Sequence, residues 1–243
     1  MRDHLLDLVE HTFDLGFIDL IKITGTDKET VIDAIADDRS VVVKGKFLVP
    51  VAEFVGTFGM PNLSKLKILL NLQEYRENAT IDIVRQVRNE VDTPVGLHFK
   101  NAAGDFQNDY RFMVSEIVSE KLKSAKFKGA NWDIEFEPTV PAIQRLKMQA
   151  QANAEESTFQ TRTSDGELRF SFGDHSTHAG EFVFQSGITA NLKNSLSWPV
   201  QQTIGILNLT GDKQFKISDA GATQITVNSG IAEYNYILPA QKK

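Results

Sequence analysis

The chain of 243 residues contains no cysteine. That excludes disulfides, thiolate metal sites and cysteine nucleophiles, and it fits a reducing cytoplasm, the expected location. Long apolar runs are also missing. "KILLNL" is among the longest and is far too short to span a bilayer, so no membrane partner is expected. The opening "MRDHLLDLVEHTFDLG" lacks the basic region, apolar run and small-residue cleavage site of a secretory signal. Positive charge is in deficit: 26 Lys and Arg against 32 Asp and Glu give a formal net charge of -6. This disfavours general nucleic-acid binding unless the cations are confined to one surface, because phosphate contact needs clustered Lys and Arg. There is no glycine-rich phosphate loop, no G-x-G-x-x-G after a strand, no G-x-S-x-G elbow and no H-E-x-x-H. No cofactor is therefore expected, and no enzymatic activity.

What is present reads as alternating helices and strands. In "DHLLDLVEHTFDL", Leu5, Leu6, Leu8, Val9 and Phe13 share one side of a helical wheel. Asp3, Asp7, Glu10 and Asp14, with His4 and His11, form the other side. "FIDLIKITGT", "ETVIDAIAD" and "SVVVKGKFLV" are β-branched and partly alternating, and predict antiparallel strands. Val51, Phe54, Val55 and Phe58 have i, i+3, i+4, i+7 spacing in "VPVAEFVGTFGMPN", which predicts a short second helix ended by Gly59 and Pro61. "SKLKILLNLQEY", "NATIDIVRQVRN" and "PVGLHFKN" read as further strands.

From Lys126 the pattern restarts. "AKFKGANWDIEFE" predicts a strand or strand pair. "TVPAIQRLKMQAQANAEE" predicts a helix with Thr139 as cap and Pro141 in its first turn. "STFQTRTSDGELRFSFG" predicts a hairpin turning at Asp165-Gly166. "GEFVFQSG" and "LKNSLSW" are strands, "PVQQTIGILNL" a short helix, and "KQFKISDAGATQITVNSGIAEYNYILPA" a three-stranded meander. Helix, strands, short helix, strands thus occurs twice. The expected class is α+β, with two similar domains at 1–115 and 128–243 and a connector at 116–127.

This duplicated order resembles the DNA sliding clamps, the processivity factors of replicative polymerases, and above all the trimeric clamps of T-even-like phages, cyanophage versions among them. "VAEFVGTFGM", "DYRFMVSEIVSEKLK", "NWDIEFEPTVPAIQRLKMQAQAN" and "GDKQFKISDAGATQITVNSGIAEYNYILPA" carry the resemblance, which covers nearly the whole chain. It implies the DNA-clamp fold, with helices inside and antiparallel sheets outside, assembling as a homotrimeric ring. It further implies a non-enzymatic protein that encircles duplex DNA, tethers the DNA polymerase, is opened by an ATP-dependent clamp loader and takes part in transcription co-activation. Subunit joints in the family run strand to strand across sheet edges.

A clamp must hold DNA and still slide, so its inner helices should present long polar or basic side chains that touch phosphates exchangeably. The helix after Thr139 complies. With Ile143, Leu146 and Ala150 inward, its wheel turns Gln144, Arg145, Met148, Gln149 and Ala152 outward, with Lys147 and Gln151 on the flanks and no acid. The helix after Pro199 offers Gln201, Gln202 and Asn208. Lys123 and Lys126, among the lysines of "SEKLKSAKFKGA", are further DNA-facing candidates. A plain solvated face or linker is the commoner meaning of such residues, and the absence of acids from the two helices in a net-acidic chain is what favours DNA. The first helix, with its acids, does not comply. For partner docking the resemblance implies a pocket near Ile117, Val118, Tyr236, Leu238 and Pro239, residues that ordinary core packing would also explain.

Two alternatives stand beside the clamp: a phage structural or assembly protein built on duplicated β-rich domains, and a histidine-dependent metal enzyme. The second rests on Asp174, His175 and His178 in "GDHSTHAGEFVF". An H-x-x-H spacing in a loop is a weak zinc signal, because such sites ordinarily take three or four protein ligands. Gly173 and Gly180 flank it as in a hairpin connection. Phe170, Phe172, Phe182 and Phe184 on the two arms are the stronger feature, pointing to a core.

Overall fold

The computed structural model describes residues 1–88, 90–123, 127–174 and 178–241. The chain divides into two compact units: Met1–Lys126 with Asn228–Tyr234, and Phe127–Val227 with Asn235–Lys243.

The first unit begins with α1 (Arg2–Glu10), which buries Leu5, Leu8 and Val9. Strands β1 (Leu20–Gly25), β2 (Thr30–Ile35), β3 (Val42–Phe47) and β4 (Gly56–Pro61) form an antiparallel sheet in the order β4-β1-β2-β3. Their side chains alternate between core and surface, as their β-branched composition requires. The segment Asn228–Tyr234 lies beside β3, with the Leu48 amide donating to the Ile231 carbonyl at 2.9 Å. Helix α2 (Leu63–Asn71) packs against α1. A second sheet takes β5 (Thr80–Arg88), β6 (Val91–Lys100) and β7 (Gln107–Arg111), and α3 (Ser115–Lys121) follows.

Two expectations reverse here. "VAEFVGTFGM" is not the second helix: only Ala52–Phe54 form a single 3₁₀ turn, and the rest is β4. Gly56 takes φ 121°, and a Cβ there would lie 2.9 Å from the Pro94 ring. The helix cannot run through that position, and Phe58 and Met60 become strand residues. Conversely, "SKLKILLN" is α2, with Leu63, Leu66, Leu69 and Leu70 on its buried side. The Lys-Leu-Lys-Ile alternation imitates a strand locally, while the leucine spacing over two turns is helical. The stretch read as a connector contains α3, and Val118 and Leu122 pack against Leu20, Ile35, Val42 and Met113.

The second unit carries β8 (Ile134–Phe136), α4 (Val140–Ala152), β9 (Thr158–Ser164), β10 (Glu167–Gly173), β11 (Ala179–Ser186), β12 (Leu196–Pro199) and α5 (Val200–Asn208). Then come β13 (Asp212–Ser218), β14 (Ala222–Asn228) and β15 (Ala232–Pro239), of which the residues from Asn235 belong to this unit. One sheet runs β11-β10-β9-β12, and β13 pairs with β8. Of the described part of "AKFKGANWDIEFE", from Phe127 on, only Ile134–Phe136 is a strand. The hairpin turns as expected: Asp165 and Gly166 both take positive φ, 52° and 77°, the pair a two-residue β-turn of this hand needs. Its core is aromatic. Phe159, Phe170, Phe172, Phe184 and Phe215 are buried, and the Phe170 and Phe184 rings stack at 4.2 Å. Phe182 is half-buried and meets Phe170 edge-on. Helix α4 packs on β10 and β11 and touches α5.

Candidate nucleic-acid interface

Helix α4 starts where the sequence says it should. The Thr139 hydroxyl accepts the Ala142 amide at 3.3 Å, satisfying one of the free donors of the first turn, and Pro141 fits there because no hydrogen bond is asked of its nitrogen. Ala142, Ile143 and Leu146 are buried. Gln144, Arg145, Met148 and Gln151 are exposed, Met148 to 65%, while Lys147 and Gln149 are half-buried. The Gln149 side chain is already engaged, accepting from the Asn153 amide at 3.1 Å. No acid occurs in α4 or α5. On α5, Gln201 and Asn208 are exposed and Gln202 half-buried. Lys123 is exposed and pairs with Glu120 at 3.4 Å. Lys126 lies outside the described residues.

In the first unit the polar face expected for α1 divides. Asp3 and Glu10 are exposed, but Asp7 and His11 are buried, so the surface carries fewer acids than the sequence suggested. Asp14, just beyond the helix, is tied to Lys67 at 2.8 Å. Helix α2 adds what strand misreading had hidden. Lys65, Ile68 and Asn71 are exposed, Lys67 is half-buried with its ammonium 5.9 Å from the centre of the Phe13 ring, and the helix holds no acid. The available signal was the leucine spacing of this segment, which turns both lysines away from the core.

The residues expected around a partner pocket fall into two kinds. Ile117 is 51% exposed on α3, and Pro239 is exposed at the end of β15. Val118, Tyr236 and Leu238 are fully buried, so they serve packing, and only Ile117 and Pro239 of the five offer surface to a partner. Within the first unit a cavity of about 400 Å³ opens beside α3, floored by Leu20, Ile35, Met113 and Leu122 and rimmed by Asp19 and Arg39. Sequence reasoning did not find it, because its walls come from β1, β2 and α3 together.

Of the histidine loop, His175 lies outside the described residues, and Asp174 and His178 are exposed. Among the described residues no group of three or more His, Asp or Glu side chains is arranged to hold a metal ion. Among the described residues no helix is long and apolar enough to cross a membrane.

No protein-family model and no curated protein matches the sequence. Solved structures do match. One, described as the C-terminal region of FEN-1 bound to A. fulgidus PCNA, superposes with a TM-score of 0.66 and 11% identity, covering 100% of this chain and 97% of that one. PCNA from Thermococcus kodakaraensis gives 0.64 and 13% identity over 99% of this chain and 97% of that chain. A PCNA2-PCNA3 complex from Sulfolobus tokodaii gives 0.60 and 11%, with the same coverages. Identities this low speak to fold alone. The chain has the fold of the PCNA sliding clamps, α+β with helices and antiparallel sheets.

Proposed function

We propose that the chain is a sliding clamp: copies close into a ring around duplex DNA, helices inward and sheets outward, and hold a DNA polymerase to its template without performing chemistry. The observation that carries this is α4, a helix of 13 residues with no acid in a chain of formal net charge -6, set in a fold shared end to end with clamps. Arg145 and Lys147, flanked by Gln144, Gln149, Gln151 and Met148, are suited to weak, exchangeable phosphate contact, as are Gln201 and Gln202 on α5. Lys65 and Asn71 of α2 extend the set, and Lys123 and Lys126 stay in it. The surface is sparse in cations, which suits topological holding better than tight binding.

The reading includes a homotrimer, domain boundaries at 1–115 and 128–243 around a connector at 116–127, and an ATP-dependent loader. It also includes partner-binding residues, Ile117 and Val118 of the first unit and Tyr236, Leu238 and Pro239 of the second. The clamp is of the T-even-like phage type suggested by sequence, with a part in transcription co-activation and a place in the host cytoplasm. The solved neighbours, among them a clamp bound to a FEN-1 tail, support the ring and the docking of partner segments. The test is a mass and shape measurement in solution, paired with primer extension. A ring of three copies with a hole wide enough for a duplex, and longer products when it is loaded, are expected. A compact monomer at every concentration, without effect on product length, ends the proposal.

A further inference from the structure

Helix α1 is fixed to the first unit by two different polar arrangements, one near each end. At its C-terminal end Asp7, 7% exposed, accepts the Tyr234 hydroxyl at 2.7 Å, and the His11 ring lies parallel on the Tyr234 ring at 4.7 Å. The His11 Nδ1 stands 3.0 Å from the Asp7 carbonyl and 3.4 Å from its carboxylate. His11 therefore lies against the Asp7 side chain. At the N-terminal end the situation is opposite. His4 presses edge-on against Phe47, with ring centres 5.2 Å apart, and its Nδ1 is buried with no hydrogen-bond partner among the described residues. A bare lone pair in that position is tolerable. An N–H there is a buried donor without an acceptor, and on an imidazolium it is a charged one.

The surroundings of His4 favour the neutral ring. Burial pushes its pKa below the ordinary 6.5, and the nearby amino terminus acts in the same direction. Glu53, on the 3₁₀ turn packed beside it, and Asp3 and Asp7 on its own helix act oppositely without prevailing. Being in the first turn, His4 also sits at the positive end of the helix dipole, where a cation is disfavoured. The charged groups of α2 lie elsewhere: Lys67 is engaged by Asp14. The same first turn is held by Arg2, which donates to the Tyr75 carbonyl at 3.0 Å and to that of Leu70.

The geometry points to an acid-operated release of the first turn of α1: a proton on His4 displaces its ring from Phe47, while Asp7, Tyr234 and His11 keep the last turn docked, so the helix opens as a flap hinged at Asp7. Because the native state resists that proton, the stability His4 lends is complete above pH 6.5 and is lost as pH falls through that value toward the lower native one. This does not depend on the clamp reading, since it concerns one unit of one chain.

The experiment is nuclear magnetic resonance on the full chain in the absence of DNA, with histidine titrations and amide hydrogen exchange from pH 7.5 to pH 5. His4 is expected to titrate below ordinary imidazole. Amides that donate to carbonyls of the first turn, Leu5 to Met1 at 3.1 Å among them, are expected to lose protection about tenfold per pH unit as pH falls from 6.5 toward the native value of His4 and to level off below it, after correction for intrinsic rates, while amides of β2 do not change. His4→Phe should remove the pH dependence, and Asp7→Asn should loosen the last turn at every pH. A His4 that titrates at 6.5 or above, first-turn protection that is flat with pH, or a His4→Phe chain that still opens in acid overturns the proposal. The titration of the unmodified chain decides the matter even if the variants do not fold.

Discussion

The hydroxyl of Tyr234 donates to the carboxylate of Asp7 at 2.7 Å across 227 positions of sequence, and both groups are buried. Tyr234→Phe should therefore cost about 1.5–3 kcal/mol, the range for losing a hydrogen bond to a charged group. Urea unfolding measures it. A loss below about 0.5 kcal/mol means that water or His11 can replace the hydroxyl.

If α4 and α2 face DNA, their cations act through phosphates. Arg145→Glu with Lys147→Glu should shorten polymerase products on a loaded template and lower the salt dependence of DNA retention by about one unit of slope for each phosphate no longer neutralised. Lys65→Glu should act in the same direction. Lys67→Glu should also destabilise the chain, because it sets a second acid beside Asp14. Unchanged product length in the α4 double variant removes that helix from the interface.

Glu181 bridges two arginines on the outer side of the β9-β10-β11 sheet, meeting Arg169 at 2.8 Å and also Arg162. Burial pushes its carboxyl up, but the hydrogen bonds from Arg169 and Arg162 and their charges outweigh that, leaving it below the usual glutamate value of 4.5. A depressed native value means that its stabilisation is present above pH 4.5 and disappears as pH falls through the native value. Glu181→Gln should flatten that part of the acid limb of the stability curve. With the pair partly in water, the difference stays under about 1 kcal/mol. Denaturant midpoints at pH 7 and pH 3 give the comparison.

Arg39 holds φ 61° at the mouth of the cavity beside α3, a conformation glycine adopts without penalty. Arg39→Gly should stabilise by about 0.5–1 kcal/mol, raising Tm by about 2 °C. Coupled with weaker polymerase stimulation, that result would mark the arginine as kept for binding a partner. Thermal scans and primer extension separate the two effects.

Much of this fold can be read from period and punctuation. Thr139 and Pro141 locate the start of α4, Asp165-Gly166 fixes a hairpin, and the alternating phenylalanines of β10 and β11 mark a core. Legibility fails where a local period has two meanings. Val51, Phe54, Val55 and Phe58 satisfy a helical template that the backbone at Gly56, with φ 121°, forbids, and the Pro94 ring, which leaves no room there for a Cβ, is far off in sequence. Leu66 among its lysines satisfies a strand template, and packing against α1 and β7 selects the helix. The candidate interface is legible where its helix is. The residues of α4 and α5 follow from their wheels, whereas those of α2 were hidden with the element, and the buried Asp7 and His11 looked like surface because their partner Tyr234 comes from the far end of the sequence.

That distance matters for assembly in time. Residues 1–126 leave the ribosome long before Asn228–Tyr234, yet the first unit contains both. Until the late segment arrives, the flank of β3 stays open and Asp7 is without its hydroxyl, so the early portion must wait as an incomplete, aggregation-exposed intermediate. Folding should therefore be slow for a protein of this size, since the second unit likewise waits for its own last segment, from Asn235. A translation stop placed before Asn228 should leave both units sensitive to protease, because each loses a segment.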